Sequence, residues 1–270
     1  MQTIALPTSY RAQEVWAFHA RDAEQMCENV SPGRLTKRMV WQGQPLQVKV
    51  QVYPDRAEAV GPIEAVRRML GLVLDPGPFE QAFGQDPHLG PLLRQRPGLR
   101  LAQTATPFEA LTWAVMGQQV NLTFALQLRR TFIELAGVRL GGEFYYPDAR
   151  AAVSIREEDL TGRKFSAAKA QTLLRLARLV ASGEIDLEQL DADRLLQVKG
   201  VGPWTVQYTL LRGYGFGDCS LHGDAAVKKA LRQVFALPPD ANSAEQLLAR
   251  YRPHRSLTAA HCWASLSKQA

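Results

Sequence analysis

Asp224 and the glycine turn upstream of it are the residues of this chain with the clearest chemical use. The run Lys199-Gly200-Val201-Gly202-Pro203-Trp204 ends twenty residues before that aspartate (224 − 204). Glycines at 200 and 202 open backbone conformations closed to other residues and remove the Cβ atoms that block a ligand's approach. Their amides can then turn outward, and Pro203 presets the first turn of a helix starting near Trp204. A helix start with free N–H groups attracts anions, a phosphate above all. Asp224 offers the complement, because an ionised carboxylate stabilises a cation developing beside it, such as a sugar losing the substituent at its anomeric carbon. Each half also has an ordinary explanation. The turn fits a plain helix–helix connection, and Asp224, directly before Ala225-Ala226-Val227-Lys228-Lys229, fits a helix N-cap.

Elements must hold these groups. Upstream, Asp191 is placed to cap a short helix carrying Leu195, Leu196 and Val198, so residues 191–209 read as helix, hairpin, helix. Leu46, Val48, Val50 and Val52 alternate with Gln47, Lys49, Gln51 and Tyr53, the two-residue period of a strand with one buried face. Val15-Trp16-Ala17-Phe18 and Lys37-Arg38-Met39-Val40-Trp41 are further strand candidates, the second joined to the Leu46 strand by Gln42-Gly43-Gln44-Pro45. An antiparallel meander is the simplest arrangement. A helix from about Pro62 carries Ile63, Val66, Met69 and Leu70. From residue 107 the period turns helical: Phe108, Leu111, Thr112, Val115 and Met116 share one face, as do Leu173, Leu176, Ala177 and Val180, and Val227, Ala230, Leu231 and Val234. The expected fold class is α+β, with an N-terminal antiparallel sheet domain over 1–100, the basic stretch Arg94–Arg100 as boundary, and a mainly helical core over 101–270 with its hairpin at 199–203.

Composition narrows the partner. A net charge of +6 and a pI near 9.4 favour a polyanion. Cys27, Cys219 and Cys262 show no CxxC spacing and are odd in number, which argues against a disulfide framework, a zinc ribbon or an iron-sulfur cluster. The histidines show no metal-ligand spacing either. Nothing at the N-terminus reads as a signal peptide and no run of eighteen apolar residues occurs, so a cytoplasmic, membrane-free protein is expected.

At these residues the chain resembles a known family. Leu196-Gln197-Val198-Lys199-Gly200-Val201-Gly202-Pro203-Trp204-Thr205, followed by Asp224, resembles the core of the helix-hairpin-helix DNA glycosylase superfamily. Further matches are more specific: Phe108-Glu109-Ala110-Leu111 leading to Met116-Gly117-Gln118-Gln119-Val120, then Trp204-Thr205-Val206-Gln207-Tyr208 with Leu211-Arg212-Gly213. With Pro253-His254-Arg255-Ser256 and His261-Cys262-Trp263, they are similar to 3-methyladenine DNA glycosylase II, the bacterial AlkA type. The resemblance covers roughly residues 75 to 265; over the first 75 it rests on the order of strands.

That resemblance implies excision of alkylated bases (3-methyladenine, 7-methylguanine, hypoxanthine or N1-alkylated bases) from double-stranded DNA by a monomeric hydrolase close to the nucleoid. It assigns Asp224 the catalytic role, Trp204, Tyr208 and Trp263 the pocket of the flipped base, and Lys199, Gly200, Val201, Gly202 and Thr205 the DNA phosphates. Gln118 and Gln119 fall where the family fills the gap left by that base; related enzymes carry an apolar wedge at the place of Gln119. Trp204 stands where bifunctional glycosylase-lyases carry a lysine, so no Schiff base and no lyase step are expected. No cofactor is implied, and a cation bridging hairpin carbonyls to a phosphate would anchor DNA rather than take part in the chemistry. His222-Gly223 departs from the proline and extra acid that AlkA-type proteins can carry before the aspartate. Trp16, Trp41 and Trp113 read as core. Two other readings stand beside this one: an oxidised-purine glycosylase, which normally calls for the lysine that Trp204 replaces, and a non-catalytic damage-recognition protein, which has no need of Asp224.

Overall fold

The alternating residues from Leu46 do form a strand, which begins two residues earlier, at Gln44, and ends at Val52, and a sheet is built around it. The computed structural model describes residues 1–235 and 241–266. Its first part runs β1 (Gln2–Ala5), α1 (Gln13–His19), β2 (Glu28–Ser31), β3 (Arg34–Trp41), β4 (Gln44–Val52) and β5 (Arg56–Val60). The five strands form one antiparallel sheet in the order β1-β5-β4-β3-β2. Gln42 and Gly43 both take positive φ, 50° and 78°, the geometry of a tight two-residue hairpin that pairs Trp41 with Gln44.

Residues 15–18, expected to be a strand, lie instead in α1. Its buried positions are Val15 and His19, one helical turn apart. His19 is held there by Nε2, 2.9 Å from the Met69 carbonyl, so a polar residue occupies what the apolar pattern would mark as surface.

Helices follow: α2 (Ile63–Met69), α3 (Gly77–Phe83), α4 (Leu89–Gln95), α5 (Pro107–Gly117) and α6 (Leu122–Ala136). After the short hairpin of β6 (Arg139–Leu140) and β7 (Glu143–Phe144) come α7 (Ala149–Val153), α8 (Glu157–Thr161), α9 (Ala167–Ala181), α10 (Ala192–Leu196) and α11 (Pro203–Thr209). A single π-helical turn, Leu210–Tyr214, leads towards α12 (Ala225–Phe235), α13 (Ala241–Ala249) and α14 (Arg255–Leu266). No helix among the described residues is long and apolar enough to cross a membrane.

Two cores form. Val48, Val50, Met39 and Ala57 of the sheet pack with Phe108 and Leu111 of α5, Phe132 of α6 and Leu173 of α9. Phe79 of α3 and Leu93 of α4 pack instead with Leu231 of α12, Leu248 of α13 and Leu257 of α14. α5 serves both, because Trp113 and Ala114 on its other side face the second core. It is buried on every side from Phe108 to Met116, beyond the single face that the sequence pattern marks. Between sheet and helices lies a buried ion network. Lys37 bonds Glu28 and Glu109, and Arg129 Nη2 bonds the same two carboxylates, at 2.5 Å and 3.1 Å.

Candidate active site

The hairpin has the local geometry its residues imply. Asp191 caps α10, its Oδ1 accepting from the amides of Asp193 at 2.9 Å and Arg194 at 3.1 Å. Pro203 then opens α11. The two glycines are there for different reasons. At Gly200 (φ +95°) a Cβ would lie 1.9 Å from Thr172 Oγ1 on α9, so this glycine makes room for protein. A Cβ at Gly202 would meet nothing within 4 Å, leaving that backbone open on the outside. Among the described residues the amides of Gly200 and Gly202 donate to no protein backbone, while the Val201 amide closes the turn onto Val198 O at 2.9 Å. Lys199 is exposed, and Val201 and Thr205 are buried. A phosphate arriving here would therefore meet backbone N–H groups and the Lys199 ammonium, not the side chains of Val201 and Thr205.

The chain brings Asp224 back beside this helix. Its Oδ1 caps α12, accepting from the amides of Ala226 at 3.0 Å and Val227 at 2.9 Å, and also accepts from Trp263 Nε1 at 3.1 Å. Its Oδ2 accepts from Trp204 Nε1 at 3.1 Å. The carboxylate is thus a helix cap and is also aimed into a cleft by two indoles. Tyr208 completes the aromatic wall, its ring centroid 5.1 Å from that of Trp204 and 6.3 Å from that of Trp263.

The cleft so enclosed measures about 910 Å³, and its other walls come from Gln118, Gln119, Gly202 and Arg21. Such a volume lies at the upper end for a small-molecule site. Gln118 is tied down, its Nε2 donating to Gly200 O at 3.0 Å and Thr205 Oγ1 at 2.9 Å. Gln119 is exposed, with φ +55°.

Four contributors were not foreseen from sequence. Trp113 lines the cleft as well as the core, and its Nε1 donates to Tyr208 OH at 2.9 Å. Arg21, just after α1, lies 4.3 Å from the Trp113 ring and 4.1 Å from that of Phe18. Arg212 lies 4.4 Å from Phe18 and 4.9 Å from Trp263, and its Nη1 donates to Ala102 O at 2.6 Å. Burial lowers the pKa of both guanidiniums. A contact chain Trp113–Arg21–Phe18–Arg212–Trp263 thus runs beneath the cleft. Only Arg212 had a signal in the sequence, through the Leu211-Arg212-Gly213 motif; Phe18 and Arg21 reach the site by long-range folding. Among the described residues no cluster of histidine, cysteine or acidic side chains could hold a metal ion.

A carboxylate fixed at the end of an aromatic cleft, with a glycine hairpin on its rim, is what the resemblance to the helix-hairpin-helix DNA glycosylases implies, and the chain is similar in sequence to DNA-3-methyladenine glycosylases and in fold to one of them. Its homologues are 3-methyladenine DNA glycosylases of the AlkA-like kind. It is 34% identical over 161 residues to the DNA-3-methyladenine glycosylase of Bacillus subtilis (strain 168), a match covering 56% of this chain and 53% of that protein. To DNA-3-methyladenine glycosylase 2 of Escherichia coli (strain K12) it is 29% identical over 187 residues, covering 65% of this chain and 63% of the relative. The chain thus spans between half and two thirds of these two relatives. The structure of a 3-methyladenine DNA-glycosylase from Archaeoglobus fulgidus superposes with a TM-score of 0.82 at 18% identity, over 97% of each chain, which shows the fold. No protein-family model matches.

Proposed function

We propose that the protein is a monofunctional DNA glycosylase of base excision repair, a monomer acting in the cytoplasm on the double-stranded DNA of the nucleoid, that hydrolyses the N-glycosidic bond of alkylated bases. The observation that carries the reading is Asp224, held by two indole N–H groups at the end of an aromatic cleft beside the hairpin. The hairpin amides and Lys199 grip a phosphate, and the damaged nucleotide swings out of the stack at a cost of a few kcal/mol, offset by contacts in the cleft. Trp204 and Tyr208 offer ring faces to the extruded base. A purine alkylated on a ring nitrogen is cationic and attracted to such faces by about 0.5–2 kcal/mol.

As the C1′–N bond breaks, its electron pair leaves with the base, which departs neutral, and positive charge spreads over C1′ and the ring oxygen. Asp224 stabilises that charge more strongly in the transition state than in the ground state. Water adds to C1′ and loses its proton, with Asp224 as the nearest acceptor, leaving an abasic site. No amine stands at the head of α11, where Trp204 does, so no covalent imine forms and the strand stays intact.

Incubation with N-methylated duplex DNA tests this. Free base should be released and strand breaks should appear only after alkali. A borohydride-trapped adduct, or no base release at all, would overturn the reading.

A further inference from the structure

The gap-filling loop and the phosphate hairpin are bolted to one another and to α9. The Lys169 ammonium, on the first turns of α9, donates to Met116 O and to Gln118 O, both at 2.8 Å. These are carbonyls at the C-terminal end of α5 that the helix itself cannot satisfy, where a cation is also favoured by the helix dipole. One turn on, Thr172 receives the hairpin at Gly200 with no room for a Cβ, and Arg175 Nη1 donates to Lys199 O at 2.9 Å. The third side is closed by Gln118, whose amide reaches Gly200 O and Thr205 Oγ1. The Gln118 side-chain nitrogen is therefore spent within the protein, and Gln119 next to it is exposed.

We infer that Lys169 and Gln118 are positioning residues that couple the phosphate grip to gap filling, so that Gln119 enters the space left by the flipped base only while the hairpin holds the backbone. The inference rests on the glycosylase reading and adds to it a division of labour within the loop. Gripping a phosphate needs the hairpin alone. Stabilising an extruded base needs hairpin and loop held at a fixed separation.

Lys169→Met removes the bolt without touching the cleft. Affinity for undamaged duplex should stay within about twofold of wild type, whereas preference for a duplex carrying a tetrahydrofuran abasic analogue, which leaves a gap to fill without any chemistry, should fall about tenfold or more. Excision of 7-methylguanine should slow by a similar factor when the lesion is paired with cytosine and by less than about threefold in single-stranded DNA, where no gap arises. Lys169→Arg, which keeps the charge and the donors, should restore both. Equal losses on gapped and undamaged DNA, or no loss on either, would overturn the coupling. If Lys169→Met does not fold by circular dichroism, Lys169→Gln, which removes the charge but keeps a polar side chain, applies the same test without touching the cleft. A wild-type protein that prefers the abasic analogue yet releases no base would sink the glycosylase reading and leave the coupling to be judged by the binding ratio.

Discussion

Asp224 shares its Oδ1 between the first turn of α12 and Trp263, while Oδ2 meets Trp204. A change of charge there can be separated from a change of fold by choosing the substitution. Asp224→Asn keeps one oxygen to cap α12 but sets an NH₂ group against an indole N–H. Base release should fall by about 10²–10³-fold or more, the scale of losing one electrostatic contact to a developing charge. Thermal stability should drop by no more than about 1–2 kcal/mol, and duplex affinity should hold, as single-turnover kinetics and a binding titration would show. Near-normal base release in this variant would remove Asp224 from the chemistry. The glycines separate in the same way. Gly200→Ala forces a Cβ into Thr172 at a positive φ and should lower the melting temperature by several degrees, whereas Gly202→Ala has open space and should weaken DNA binding with the melting point kept.

Among the elements, the hairpin was legible in the sequence because its start and stop signals are local: Asp191 caps, Pro203 starts a helix, and glycine stands at both turn positions, although the demand for glycine at 200 comes from Thr172 on α9. The strand over 44–52 was legible for the same reason, its alternation being uninterrupted. α1 was not. It is seven residues long, and the side chain that reports its period, His19, is polar and buried through a backbone carbonyl of α2. Apolar Val15, Trp16 and Phe18 then read as a strand. The cost of that misreading falls on the site, since Phe18 and the following Arg21 reach the cleft and its floor from this helix. Asp224, Trp204 and Tyr208 were found because they belong to contiguous motifs, and Trp263 because it ends one. Residues that meet the site only through tertiary packing, Trp113 among them, left no such trace.

For the molecule as a whole, the buried ion network sets the response to acid. Burial alone would raise the pKa of Glu28 and Glu109, but Arg129 and Lys37 outweigh it and hold both below the ordinary carboxylate range. Burial also lowers His19 and His261 to about 4, keeping them neutral in the fold. For groups whose pKa is depressed on folding, the stabilisation is complete above the unfolded value and is lost as pH falls through the folded one. Stability should therefore decline first between about pH 6.5 and 4, as the unfolded histidines take up protons, and then more steeply below about 4.3 as the carboxylates follow. Denaturant titrations across that range check the order of the two losses. Glu109→Gln, which leaves Lys37 and Arg129 short of a carboxylate, should cost about 3–5 kcal/mol and flatten the acid limb.

The contact chain from Trp113 through Arg21, Phe18 and Arg212 to Trp263 crosses between the sheet-bearing beginning of the protein and its helical end. Candidate site and scaffold are consequently indivisible: a fragment starting at residue 101 would carry the hairpin and Asp224 yet lose both Arg21 and Phe18, leaving Arg212 and the indoles of Trp113 and Trp263 without the guanidinium and phenyl ring between them. Shuffling the helical part onto another N-terminus would demand a replacement for that ring, which ties the inheritance of the two parts together.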